Sequence, residues 1–400
     1  MLLVQILFFV GIIVTFYSYA GYGMLIWLWL KIKRLFSGKK GSQPIDFYPP
    51  VTLIVAAYNE ADFVEEKIRN TLSLDYPRDN FRIIFITDGS TDATPDLVKN
   101  FPEVQLLHES RRAGKVAAMH RAMSYVQTPY VIFSDANTIL NKDCIKNIVR
   151  HYADPSVGGV AGEKKILQSQ DNSIAGAGEG LYWKYESFLK KLDWQYYTVV
   201  GAAGELFSIK TDLYEFPGNN ILLDDFIISL RVCMKGYRVA YEADAYAMET
   251  GSSSIKEEQK RKIRISAGGF QSMYILKELF NLFKYPKLSF QYISHRVLRW
   301  TLCPLFLPII LICNILLSLH YHSWFYDAIL AAQAVFYLCA FTGWILYMKG
   351  IKISFLYAPY YFLFINFSLY LGFIRFLKGK QTVLWEKANR EQYKKAESAL

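Results

Sequence analysis

The sequence predicts an α/β domain, a mostly parallel Rossmann-like sheet with helices on both faces, joined to transmembrane helices at both ends of the chain. Three observations predict it. Between residues 50 and 275, short apolar runs ending in polar residues alternate with helix-like stretches, the pattern of βαβ units. From Leu2 to Leu30 there is no charged side chain, and a bilayer span needs roughly 20 apolar residues. A second apolar region fills much of residues 300–376.

Residues 1–30 are read as an N-terminal transmembrane helix. A cleaved signal peptide fits poorly, because no basic residue precedes the run and the run is too long. Lys31, Lys33, Arg34, Lys39 and Lys40 follow at once. By the positive-inside rule that end stays cytoplasmic and the N-terminus faces out. Residues 31–49 form a basic linker, and Pro44, Pro49 and Pro50 mark the entry to the domain at 50–275.

In that domain VTLIVAAYNE (51–60) is an apolar run with a polar end, and EADFVEEKIRNTLSL follows with helical spacing. FRIIFITDGSTDAT (81–94) repeats the strand pattern, then TPDLVKNF reads as a short helix. VQLLHE (104–109) is strand-like, GKVAAMHRAMSYV (114–126) helical, and YVIFSDAN (130–137) the next strand. Three strands thus end in polar groups: Asn59 and Glu60, Asp88, then Asp135 and Asn137. Side chains two apart on an extended chain point the same way, so Asp135 and Asn137 would converge on one ligand. Such sheets bind ligands outside the carboxyl ends of their strands, where a nucleotide would lie.

Beyond the domain, residues 276–299 read as an amphipathic interfacial segment and residues 300–376 as the C-terminal membrane region. Trp300–Leu319 and Trp324–Met348 are two spans with a short link. The run from Ile353 to Ile374 is a third span or a re-entrant segment, because Arg375, Lys378, Lys380, Lys387 and Arg390 follow it. Residues 377–400 are a basic tail. The hydrophobic fraction of 52% and the 16% of aromatics suit such a membrane chain. The net charge of +10 lies largely beside membrane segments, where anionic lipid attracts it, so no nucleic-acid partner is needed. Five scattered cysteines without CxxC spacing imply neither a disulfide framework nor a zinc site.

The ordered set AAYNE, ITDGSTDAT, AGKVAAMHRA, FSDANT, LLDDF and RKIRISAGG resembles the family 2 glycosyltransferases. The resemblance covers roughly residues 50 to 275. It implies the GT-A fold and inverting transfer from a nucleotide-diphosphate sugar. The flanking spans resemble the membrane-embedded bacterial exopolysaccharide synthases of that family. The chain departs from the family pattern in two places. The metal motif D-x-D reads Asp135-Ala136-Asn137, and Q-x-x-R-W has no intact copy. By order along the chain, Arg261-Lys262-Ile263-Arg264-Ile265 takes its place; RVLRW (296–300) shares only the ending.

The resemblance implies roles for individual residues. Asp88 would bind the nucleoside; the alternative is a turn residue before a helix, since Ser90, Thr91 and Asp92 are good N-caps. Asn59 and Glu60 end the first strand, and Glu60 would contact the nucleoside or be merely solvated. Lys115, at a helix start, would meet a phosphate, or be a surface lysine. Asp135 and Asn137 would hold Mg²⁺ or Mn²⁺, which take oxygen ligands, and Asp135 would also lie near the ribose of the sugar nucleotide. Asn137 offers a neutral carbonyl and so weaker binding; the alternative is an Asx turn. Asp225 would be the catalytic base with Asp224 as its orienting neighbour, or else a helix N-cap. Tyr182, Trp183, Gly201 and Gly204 would form the acceptor site, although the aromatics suit a core equally. Arg264 would close over the diphosphate; the alternative is a basic helix lying on the membrane.

The expected function is transfer of a sugar, from a UDP-sugar in the first instance, to a growing or lipid-linked saccharide in cell-surface polysaccharide synthesis. The expected place is a bacterial-type cytoplasmic membrane, multi-pass, with the catalytic domain facing the cytoplasm. Membrane lipid is an expected partner, and export or polymerisation partners are left open. Two alternatives stand beside this: a polyprenyl-phosphate glycosyltransferase that makes one lipid-linked sugar, and a non-catalytic sugar-nucleotide-binding membrane partner.

Overall fold

The computed structural model of the chain describes residues 1–36, 47–167, 174–251, 254–351 and 353–379, with 174–181 and 354 described by backbone alone. The middle of the basic linker and nearly all of the basic tail lie outside the described residues. Two compact units are present, one within Arg34–Ser169 and Tyr182–Ser252, the other within Met1–Lys33, Gln170–Leu181 and Ser253–Lys380.

The first unit carries the sheet. Its strands are β1 (Val51–Ala57), β2 (Phe81–Asp88), β3 (Gln105–Glu109), β4 (Tyr130–Asp135), β5 (Ile139–Leu140), β6 (Val157–Leu167), β7 (Leu206–Lys210) and β8 (Arg238–Thr250), in spatial order β3-β2-β1-β4-β7-β6-β8-β5. The first four are the strands the sequence predicts, and they pair in parallel. β7 enters antiparallel between β4 and β6. Every residue of β1 is buried, which is why it reads as a continuous apolar run rather than an alternating one. Leu53, Val55, Ile68, Phe85, Ile132 and Ile148 share one core. Truncating Ile132 to alanine there would cost about 2–5 kcal/mol.

Register brings the polar strand ends level. Ala57 pairs with Thr87 in β2, and Ala56 pairs with Asp135 in β4. Two helices start at this edge. Lys115–Met123 follows Gly114, whose φ of +97° is the left-handed conformation that favours glycine. Asp224–Met234 has Asp224 and Asp225 in its first turn, where the helix dipole favours negative charge.

The second unit is helical. Leu2–Phe16 continues through a π-helical turn, Tyr17–Gly21, into Tyr22–Phe36. Leu302–Tyr321, Trp324–Met348 and Ser354–Leu377 follow. Among the described residues four helical stretches, counting Leu2–Phe36 as one, are long and apolar enough to cross a membrane. Ser354–Leu377 is one unbroken helix, without the reversal that a re-entrant segment needs. Ile255–Ile275, expected at the end of the glycosyltransferase-like domain, belongs to this unit. Phe270 packs on Phe373 at 4.9 Å between ring centroids, and Tyr361 donates to Glu258 at 3.2 Å. The expected interfacial segment divides. Phe280, Leu282 and Phe283 are exposed, whereas Leu288, Tyr292, His295, Arg296 and Arg299 are buried.

Candidate active site

β1, β2 and β4 deliver the polar edge, and backbone hydrogen bonds fix its loops. Asn59 adopts φ +53°, a left-handed conformation that asparagine tolerates. Its Oδ1 accepts from Thr91 N–H at 2.8 Å, and its own N–H donates to Ser90 Oγ at 3.2 Å. Asn59 therefore ties the loop after β1 to the loop after β2. Glu60 N–H donates to Thr94 Oγ1 at 2.8 Å, which extends the same tie.

Asp88 is buried at the end of β2. Its Oδ2 accepts from the N–H groups of Ala113 and Gly114 at 2.9 and 2.6 Å, and its Oδ1 from Arg121 at 3.3 Å. The carboxylate thus holds the loop that presents Lys115. Asp88 also lines a small pocket with Ala57, Tyr58, Arg112, Gly114 and Lys115. The Arg112 guanidinium lies 3.7 Å over the Tyr58 ring, a cation–π pair in the lining of that pocket.

Lys115 Nζ donates to Asp135 Oδ1 at 2.5 Å. Burial opposes its charge, but Asp135, then Asp224 and Asp225, hold its pKa above the ordinary lysine value. Asp225 moves the other way. Burial first and Asp224 second push its carboxyl up to about 7, against the pull of Lys115, while Glu205 adds to the rise. Phe226 N–H donates to Asp225 Oδ1 at 2.8 Å. Asp224 is buried, and its Oδ2 has no hydrogen-bond partner among the described residues. A carboxyl titrating near neutrality beside a second, buried one is the arrangement a general base needs.

The two glycines do different things. Gly201 has φ +86°, and a Cβ there would collide with the Phe226 ring, so its need is steric. A Cβ on Gly204 would lie 3.1 Å from Lys115 Nζ and 3.2 Å from Asp225 Oδ2. Gly204 therefore borders the space beside these two charges. Tyr182 and Trp183 lie half-buried on Ile174–Tyr196. The Trp183 ring has Lys164 Nζ at 5.0 Å and Lys190 Nζ at 5.4 Å, and Lys164 is paired with Glu205 and Glu249. Arg264 is half-buried on Ile255–Ile275 in the helical unit. On that helix Arg261 and Lys262 each lie 3.4 Å from the buried Glu258.

β4 ends at Asp135, so Ala136 and Asn137 form a turn and the extended-chain alternation expected for Asp135 and Asn137 does not hold; Asn137 is half-buried. No group of three or more His, Cys, Asp or Glu side chains forms a metal cluster among the described residues. The turn supplies one carboxylate and one amide oxygen. Two protein oxygens suit a hard cation that takes its remaining ligands from water and substrate phosphates, so the donor set fits Mg²⁺ or Mn²⁺.

Sequence patterns alone do not single out Arg112, Glu205 or Lys67. Lys67 lies fully buried under the turn, and burial lowers its pKa to about 7, opposed by Cys144 and Asp135. The one local signal is a lysine inside a helical stripe otherwise made of Val64, Ile68 and Thr71.

Residues 52–215 match the model of the family described as Glycosyl transferase family 2. The chain is 26% identical over 259 residues to the poly-β-1,6-N-acetyl-D-glucosamine synthase of Staphylococcus aureus (strain MSSA476), covering 62% of this chain and 60% of that protein. It is 26% identical over 237 residues to the β-monoglucosyldiacylglycerol synthase of Synechocystis sp., covering 56% and 48%. The matches thus span 60% or less of these two relatives' own lengths. Among solved structures, the mannosyltransferase PcManGT from Pyrobaculum calidifontis, in complex with GDP-Man and Mn²⁺, superposes with a TM-score of 0.68 at 22% identity. That likeness covers 94% of this chain and 99% of the other, and it shows a shared GT-A-like fold.

Proposed function

We propose, from the premise that this chain carries a glycosyltransferase family 2 domain, that it is an inverting membrane glycosyltransferase acting in polysaccharide synthesis. The observation that carries the reading is the convergence of Lys115 with Asp135, Asp224 and Asp225, beside the gap left by Gly204. The donor is a nucleotide-diphosphate sugar. Its nucleoside would enter the pocket lined by Tyr58, Asp88 and Arg112, and its diphosphate would meet Lys115.

Ionised Asp225 takes the proton of an acceptor hydroxyl. The acceptor oxygen then forms its bond to the anomeric carbon on the face opposite the diphosphate. The bond from that carbon to the diphosphate oxygen breaks, and the nucleoside diphosphate leaves with the electron pair. One base and one displacement give inversion. Lys115 stabilises the charge gathering on the diphosphate. Asp135 and Asn137 would hold a divalent cation, which when bound neutralises part of the same charge. Burial, and next the neighbouring Asp224, keep the proton affinity of Asp225 high enough for base chemistry.

The acceptor is a growing or lipid-linked saccharide. Its support is the pair of relatives, one named for a polymer and one for a glycolipid, together with four helices of span length. We place the protein in the cytoplasmic membrane with its sheet domain on the cytoplasmic side, where Lys31, Lys33 and Arg34 follow the first span. The test is to incubate membranes containing the protein with a panel of radiolabelled UDP- and GDP-sugars and to size the products. Label in high-molecular-weight polymer is the expected result. Label confined to a chloroform-soluble product of one sugar would make it a lipid glycosyltransferase, and no transfer from any donor would sink the enzyme reading.

A further inference from the structure

The helix Val64–Leu72 buries Val64, Lys67, Ile68 and Thr71 along one face. Lys67 is completely inaccessible. A buried ammonium is costly unless its donors are satisfied. Lys67 Nζ donates to Ser134 Oγ at 2.8 Å, Thr138 O at 2.9 Å and Thr138 Oγ1 at 3.0 Å. All three hydrogen bonds of the nitrogen end on the residues just before and just after Asp135-Ala136-Asn137. Thr138 Oγ1 in turn donates to Asp135 O at 2.9 Å. One helical turn beyond Lys67, Asn70 Nδ2 donates to Leu140 O and Asn70 Oδ1 accepts from Leu140 N–H, both at 2.8 Å. The helix therefore grips the stretch 134–140 at both ends.

We propose that Lys67 is a positioning residue that holds the 134–138 turn so that the oxygens of Asp135 and Asn137 converge on the cation–diphosphate group. The inference rests on the glycosyltransferase reading above. Two side chains separated by one residue meet a common ligand only while the backbone between them is fixed. A neutral amide oxygen attracts a cation less than a carboxylate does. A turn carrying Asn137 therefore depends more on preorganisation than one carrying two acids. Outer groups that orient metal ligands typically contribute about 10–100-fold in affinity or activity.

The test uses the full chain in detergent. Mn²⁺ binding is followed by electron paramagnetic resonance with UDP and, separately, GDP present, alongside thermal unfolding. Lys67→Met should weaken nucleotide-dependent Mn²⁺ binding by about 10–100-fold. Thermal unfolding shows whether the variant is folded, since the loss of three buried hydrogen bonds is set against the removal of a buried amine. Thr138→Val removes the hydroxyl and should weaken binding in the same direction, while Thr138→Ser restores it. The double variant Lys67→Met/Thr138→Val should bind no worse than Lys67→Met alone, since both changes act on one device. Should Lys67→Met fail to fold, the Thr138 pair decides: valine binding as tightly as serine overturns the inference. A folded Lys67→Met with wild-type Mn²⁺ affinity, or additive losses in the double variant, overturns it too. Wild-type protein that binds Mn²⁺ with neither nucleotide overturns the glycosyltransferase reading of this turn, and the inference with it.

Discussion

Lys115 and Asp225 act on each other's protonation. The ammonium pulls the carboxyl down while burial and Asp224 push it up, and the carboxyl helps keep the ammonium charged. The outcome for Asp225 is a pKa of about 7. A general base works only when ionised. kcat/KM should therefore fall as pH drops through about 7, with a single-proton limb. Lys115→Met removes the downward pull, so the limb should move to higher pH. The measurement is a pH profile of transfer for both proteins. A limb that stays put in the variant would assign it to another group.

Asp225→Asn should abolish transfer while keeping donor binding. The swap is nearly isosteric and removes the base, for which the usual loss is about 10²–10⁴ in rate. Stability should move the opposite way. The folded carboxyl holds its proton to about pH 7, the unfolded one only to about 3.8. Ionisation therefore costs the wild type stability progressively as pH rises between those values, and asparagine is spared that cost. The variant should melt above the wild type at pH 8, with the gap closing towards pH 4. Melting curves that keep a constant gap across that range would contradict the buried, proton-holding Asp225.

What is legible in the sequence follows from periodicity. β2 and β4 end in polar residues that break apolar runs, so pattern alone puts Asp88 and Asp135 at strand ends, whereas β1 stops at Ala57 and leaves Asn59 and Glu60 in the loop beyond it. Asp224 and Asp225 are legible as the acidic start of a helix, but the N-cap is Leu223, and the two acids lie inside the first turn rather than capping it. Side-chain company is not. Nothing local in TDGST says that Asp88 spends its carboxylate on the N–H groups of Ala113 and Gly114, 25 and 26 residues away. Lys67 escapes notice because a lysine in a helix is ordinarily a solvated one. Its three acceptors come from a strand end and turn more than 60 residues later. Gly201 and Gly204 pair as acceptor glycines by proximity in sequence, whereas their neighbours in space differ.

That difference separates two alanine variants. Gly201→Ala forces a left-handed φ of +86° on alanine and drives its Cβ into the Phe226 ring. It should destabilise the domain, with about 1–2 kcal/mol from the backbone conformation alone and more from the clash. Gly204→Ala meets only the tips of Lys115 and Asp225, at 3.1 and 3.2 Å, which can yield by a few tenths of an ångström. It should melt near the wild type and lose turnover, since even small misplacement of reacting groups slows chemistry. Unfolding midpoints and kcat on the two proteins decide this. An active, stable Gly201→Ala would remove the steric account, and a fully active Gly204→Ala would take the reacting groups away from this gap.

Asn137→Asp tests whether residue 137 reaches the cation at all. Side-chain size barely changes, while one negative charge is added two residues from Asp135. Hard cations prefer anionic oxygen, so the metal concentration giving half-maximal activity should fall. Lys115 already pairs with Asp135, and a second carboxylate in the turn would compete for the same ammonium. Nucleotide binding without metal should therefore weaken, while binding with metal strengthens. Turnover need not rise, because a metal–diphosphate product held more firmly leaves more slowly, and release often limits such enzymes. The measurements are half-maximal Mg²⁺ and Mn²⁺ concentrations, and UDP and GDP affinity with and without metal, for wild type and variant. A lower metal requirement with the opposite effect on metal-free binding assigns residue 137 to the coordination sphere. Unchanged values in a folded variant would leave Asn137 as a turn residue and Asp135 as the turn's only metal-binding side chain.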